Sequence, residues 1–153
     1  MTNDNQEAAA GADMIIFAVK PWLMEPVIKE LELKGTEILI SVAASIPFEK
    51  LTHYVADKEM TMFRLIPNTA ISEMESMTLI ASRNATKEQE QLMLDIFNQM
   101  GLAMLIPEEK IAATTAMTSC GIATCLSISR QPCRPALKWV SIPKTACAWW
   151  HNP

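Results

Sequence analysis

Three short stretches carry the side chains that could do chemistry: Val19-Lys20-Pro21, Ala43-Ala44-Ser45 and Pro67-Asn68-Thr69. Each closes a run of apolar, partly β-branched residues. Lys20 is a cation that invites a phosphate or carboxylate. Pro21 suits the first turn of a helix, because it has no N–H to leave unpaired and its φ is already helical. Ala43 and Ala44 are small enough to let a flat ligand approach the backbone. Asn68 can donate and accept at once. Taken singly, these are ordinary strand-to-helix turns, where Pro, Asn and Ser are common. Three of them at one sheet edge favour a ligand, because open α/β sheets bind at the carboxyl ends of their strands.

Other chemistries find little support. The chain has no GxGxxG, no P-loop and no Ser/His/Asp arrangement. His53 lies in an amphipathic segment and His151 near the C-terminus, neither with an evident partner, so both read as solvent-facing. The four Cys have no zinc-like spacing, and no metal site is expected. Cys120 has no His near it in sequence, so nothing points to a nucleophilic thiolate. A net charge of −4 gives no reason to expect nucleic acid. No apolar run reaches the ~18 residues of a membrane span. The opening MTNDNQEAAAGAD is polar, without the basic n-region of a signal peptide.

The elements that position the three turns follow from hydrophobic period. Met14–Val19 is a continuous apolar run between Asp13 and Lys20, as in a strand buried on both faces. The strand Asp13–Lys20 leads into a helix from Pro21 to about Lys34, with Trp22, Val27, Leu31 and Leu33 as apolar positions and Gly35 as its stop. Glu37–Ala43 is a second strand, and Pro47 opens a helix to about Val55 through Phe48, Leu51 and Tyr54. Met60–Ile66 and Met77–Ser82 are further strands. Thr86 caps a helix with Leu92, Met93, Ile96 and Phe97 inward, and Gly101 ends it. Leu102–Ile106 is a fifth strand, and Pro107-Glu108 opens a last helix. The order β-α-β-α-β-(β)-α-β-α argues an α/β fold with a doubly wound, mostly parallel sheet.

Composition breaks late in the chain. All 17 acidic residues lie at or before Glu109, where 8 Lys and Arg oppose them; the other 5 basic residues follow unopposed. Trp139, Trp149 and Trp150 and all four Cys (Cys120, Cys125, Cys133, Cys147) lie in that last stretch.

Four stretches together resemble the pyrroline-5-carboxylate reductase family: NQEAAAGADMIIFAVKP (Asn5–Pro21), ILISVAASIPFEKL (Ile38–Leu51), FRLIPNTAISEMESMTLIA (Phe63–Ala81) and EEKIAATTAMTSCGIA (Glu108–Ala123). With their spacers they cover residues 5 to 123. Val-Lys-Pro followed by Pro-Asn-Thr is the more specific part. The resemblance implies NADPH- or NADH-dependent reduction of 1-pyrroline-5-carboxylate to L-proline by a cytoplasmic homodimer or larger homo-oligomer. It implies a partial Rossmann-type sheet followed by the start of an all-helical domain. The expected division is 1–106 for a truncated NAD(P)-binding domain, 107–123 for the start of the helical dimerisation domain, and 124–153 for an irregular, frameshifted tail. Carried over, Asn5 lies by the adenine-side ribose, and Ala18, Val19, Lys20 and Pro21 line the cofactor cleft. Ala43 and Ala44 come near the nicotinamide, and Asn68 faces the reacting centre. Glu108, Cys120 and Gly121 match the helical-domain entrance where substrate binds. Hydride transfer needs orientation and a proton, not a protein nucleophile, which suits a chain without triad or metal.

The chain departs from that family in three places. The family's opening strand and glycine-rich phosphate turn belong before Asn5. Ser-Gly-Ser-Gly-Pro-Ala is replaced by Thr118-Ser119-Cys120-Gly121-Ile122-Ala123, where a thiol makes a weaker hydrogen bond than a hydroxyl. The stretch from Thr124 does not match, and a one- or two-base slip near Ala123–Thr124 would account for its missing acids and surplus Trp and Cys. The chain alone is therefore expected to be inactive. Two alternatives stay open: another Rossmann-type dehydrogenase of the same superfamily, or a non-enzymatic binding module using the sheet as a platform.

Overall fold

The computed structural model describes residues 2, 4–56 and 58–121. What the sequence suggests for 124–153, including Cys125, Cys133, Cys147 and His151, lies outside the described residues. A five-stranded sheet forms from β1 (Met14–Phe17), β2 (Ile38–Ser41), β3 (Met62–Ile66), β4 (Ser76–Arg83) and β5 (Gly101–Leu105), in the order β1-β2-β3-β4-β5. β1–β2, β2–β3 and β4–β5 are parallel, and β3–β4 is antiparallel. The helices are α1 (Asn5–Ala9), α2 (Pro21–Glu30), α3 (Phe48–Tyr54), α4 (Lys87–Asn98) and α5 (Ile111–Thr115). A 3-10 turn, Thr69–Glu73, reverses the chain between β3 and β4.

That reversal decides where the helices lie. Crossovers between parallel strands are right-handed. β1 to β2 to β3 step across the sheet in one direction, so α2 and α3 share a face. β4 and β5 step the same way but run upside down, so the same handedness sends α4 to the other face. Burial follows. Met24 and Ile28 of α2 and Phe48 and Leu51 of α3 pack with Phe17, Leu39, Met62, Ile66 and Leu79. Met93 and Phe97 of α4 pack with Ile40, Phe63, Leu65, Ile80 and Ala103. Successive strand residues alternate between the two cores, as the pleat requires. Helices on both faces of a mostly parallel sheet are the doubly wound α/β arrangement read from the sequence.

Local differences have local causes. Trp22 is 72% exposed. The buried stripe of α2 is Met24 and Ile28, and positions two apart on a helix do not share a face. Leu92 is exposed for the same reason beside the Met93–Phe97 stripe of α4. α4 begins with a full capping box: Thr86 Oγ1 accepts from the Gln89 N–H and the Gln89 side chain accepts from the Thr86 N–H. α1 forms within the polar opening stretch, where Asp4 caps it by accepting from the Gln6 and Glu7 N–H groups. Gly101 opens β5 rather than only ending α4, at φ +130° with a Cβ position 2.2 Å from the Ser76 carbonyl oxygen.

Candidate functional site

The carboxyl ends of β1, β2 and β3 lie side by side, because Phe17, Ser41 and Arg64 are partners across two parallel ladders. The three turns singled out in the sequence therefore share one rim. At the end of β1, Lys20 is the exposed N-cap residue of α2 and Pro21 its first helical residue. Ala18 is exposed and Val19 half-buried. Asn5, Ala18 and Val19 line one cleft of about 260 Å³, with Ala8, Ala12, Val27 and Leu31 among its walls. The Asn5 Nδ2 donates to Glu30 Oε2 at 2.9 Å, which ties α1 to the end of α2. Pro21 lies just beyond this cleft.

At the end of β2, Ala43 is buried and Ala44 exposed. The Ala43 N–H donates to Ser41 Oγ at 3.3 Å, and the Ala44 carbonyl accepts from Arg64 Nη2 at 3.2 Å. At the end of β3, Asn68 is 9% exposed. Its Oδ1 accepts from the Ala70 N–H at 3.0 Å, and its Nδ2 donates to the Thr118 carbonyl at 3.5 Å. Its own N–H donates to Ser76 Oγ, which pairs with Thr78 Oγ1 at 3.1 Å. Asn68 thus starts the 3-10 turn and reaches across to the segment after α5.

That segment crosses the α2/α3 face. Ile111 of α5 sits in the core with Leu79 and Ala81 of β4. Ala116–Cys120 continues it as a π turn, a form that recurs at functional sites. Thr115 Oγ1 and Ser119 Oγ are buried without a hydrogen-bond partner among the described residues. Cys120 is exposed and Gly121 half-buried. Glu108, just before α5, points back to the rim. Its Oε1 accepts from the Phe48 N–H at 2.8 Å and from Arg64 Nη1 at 2.6 Å. Glu108 so caps α3, which begins after a proline that offers no side-chain cap, with a negative group where the helix dipole favours one.

The predicted residues therefore fall into two groups on one rim. Asn5, Ala18 and Val19 share the β1 cleft. Beyond β2 and β3, Ala44 and Glu108 are joined through Arg64, and Asn68 is joined separately to the Thr118 carbonyl. Among the described residues no group of acids, Cys and His could hold a metal ion. Sequence reasoning missed Arg64, the residue that joins Ala44 to Glu108. The available signal was one cation inside the apolar strand MFRLI, since a charge buried in a sheet must find partners.

Comparison with known proteins agrees with the motifs. The family described as NADP oxidoreductase, coenzyme F420-dependent, matches residues 1–45. A pyrroline-5-carboxylate reductase of Methanosarcina acetivorans is 33% identical over 125 residues, covering 79% of this chain and 46% of that protein. Pyrroline-5-carboxylate reductase 1 of Dictyostelium discoideum is 28% identical over 137 residues, covering 80% of this chain and 25% of its own. The crystal structure of the Plasmodium falciparum pyrroline carboxylate reductase with NADP bound has a TM-score of 0.82 and 26% identity, covering 90% of this chain and 53% of that one. The Coxiella burnetii pyrroline-5-carboxylate reductase matches the fold with a TM-score of 0.83 at 24% identity, over 95% of this chain and 55% of that one. The chain is thus similar along most of its length to pyrroline-5-carboxylate reductases, and spans about half or less of theirs.

Proposed function

We propose that this chain carries part of a reductase that converts 1-pyrroline-5-carboxylate to L-proline with NADPH or NADH. The observation that carries the reading is the run of similarity to pyrroline-5-carboxylate reductases across about four-fifths of the chain. In this reading the nicotinamide cofactor supplies the hydride. Ala18, Val19, Lys20 and Pro21 line its path along the rim, with Asn5 at the far end. Ala44 presents a small, exposed side chain to the flat ring, and Ala43 backs it from the core. The fit rests on the observed rim, where Ala18 and Ala44 are exposed and leave the backbone approachable.

Asn68 is fixed by three hydrogen bonds and holds the substrate side of the rim at a set height. Glu108 places the start of α5, and Cys120-Gly121, at the end of the segment that follows it, form the entrance where substrate binds. Orientation is the main work such residues do. The reading includes a division at 106/107 into a cofactor-binding part and the start of a helical part, a homo-oligomer for the complete enzyme, and a cytoplasmic setting.

Two assays test it. Residues 5–121 are exchanged for the corresponding segment of the Methanosarcina acetivorans reductase, and NADPH-dependent reduction of pyrroline-5-carboxylate is followed by nicotinamide absorbance. The expected chimera keeps kcat/KM within roughly a hundredfold of its parent. A folded chimera that binds NADPH and reduces nothing would sink the assignment. The purified chain alone is expected to turn over no substrate, and measurable turnover would refute that part.

A further inference from the structure

The geometry points to Arg64 and Glu108 as a positioning pair that sets the distance between the two halves of the candidate site. The inference rests on the reading of the rim given under Proposed function. Arg64 is 5% exposed, in the middle of β3. One guanidinium nitrogen donates to the Ala44 carbonyl and another to Glu108. Its carbon lies 6.0 Å from the centroid of the Phe48 ring, within reach of a cation–π contact. Glu108 closes the circuit by accepting from the Phe48 N–H. Four chain segments meet on one charge: the turn after β2, the start of α3, β3 and the approach to α5.

Stability alone does not account for this choice. A buried ion pair is often no better than apolar residues of the same volume. Here the arginine also keeps its Nε buried with no hydrogen-bond partner among the described residues, a cost that an aliphatic residue would avoid. What an aliphatic residue could not supply is direction. The planar guanidinium fixes two acceptors at once in a rigid fork. One is the turn read as facing the nicotinamide. The other belongs to the segment that leads to Cys120-Gly121, read as facing the substrate. Arg64 is therefore placed to hold hydride donor and acceptor sides in register while touching neither.

The test uses the full chain with three variants: Glu108→Ala, Arg64→Lys and Arg64→Met. Glu108 is 31% exposed at its side chain, so the alanine variant should fold even where Arg64→Met does not. Amide hydrogen exchange is measured at Phe48, with α4 as the internal reference. The expected result is exchange at least ~10-fold faster at Phe48 in Glu108→Ala and in Arg64→Lys, with α4 unchanged. Unchanged exchange at Phe48, or an equal rise throughout the chain, overturns the pairing. NADPH affinity is read in the same samples and is expected to weaken about 5-fold where exchange has risen. Undiminished affinity beside faster exchange overturns the positioning role. A wild-type chain that binds no NADPH is the separate failure of the cofactor reading; the exchange result still decides whether the pair holds the two segments.

Discussion

One residue behind the rim, Gly101, is constrained by backbone rather than by side-chain chemistry. Its φ of +130° and the 2.2 Å approach of a Cβ to the Ser76 carbonyl leave no room for any other residue. Ser76 is also the hydroxyl that receives the Asn68 N–H, so strain at Gly101 reaches the rim through one strand end. Gly101→Ala is expected to destabilise the chain by roughly 2–4 kcal/mol, toward the upper end for a single substitution. Urea unfolding checks this, and a loss below about 0.5 kcal/mol would contradict it. The sequence marks Gly101 only as a helix stop, because its close approach to Ser76 depends on a pairing 25 residues away in the chain. Lys20, Pro21, Ala44 and Asn68 were legible as rim residues, since each ends an apolar run. Arg64 and Ser76 were not, because their partners come from distant segments.

At the scale of elements, continuous apolar runs announced all five strands, and the capping signal at Thr86 announced α4. The short elements, α1 and the 3-10 turn Thr69–Glu73, carry too few residues for a period to emerge. The turn between α2 and β2 is held by a titratable carboxylate. Glu37 Oε1 and Oε2 accept from the Lys34 and Gly35 N–H groups at 3.1 and 2.9 Å. Burial alone would raise this carboxyl, but its own backbone N–H, those of Lys34 and Gly35, and the Lys34 charge bring it below its ordinary value. A carboxyl depressed on folding stabilises the fold above its unfolded value and loses that effect as pH falls through the folded one. Wild type is therefore expected to exceed Glu37→Gln in urea midpoint near pH 7, with the gap closing below about pH 4. A gap independent of pH would remove Glu37 from that role.

On the scale of the whole molecule, the β1 margin of the sheet matters. Among the described residues β1 pairs on one side only, with Ile16 58% and Met14 38% exposed. An apolar, uncharged edge of this kind recruits other strands. Self-association is expected to grow with concentration in the micromolar range and to fall in Ile16→Lys, whose new charge replaces a side chain already in solvent. Light scattering decides between this and a mass that stays constant in both proteins.

The antiparallel step from β3 to β4 has a consequence for how the molecule could be lengthened or rewired. Because β4 and β5 run against the first three strands, the chain leaves β5 heading away from the rim. It returns across the α3 face between Ile106 and Thr118, pinned near its start by Glu108 and at its far end by Asn68. That return stretch behaves as a belt with two buckles. Extra residues inserted between Glu108 and Ile111, past the first buckle, would leave every strand of the sheet intact yet slacken the belt, and the Cys120-Gly121 end would drift off the rim.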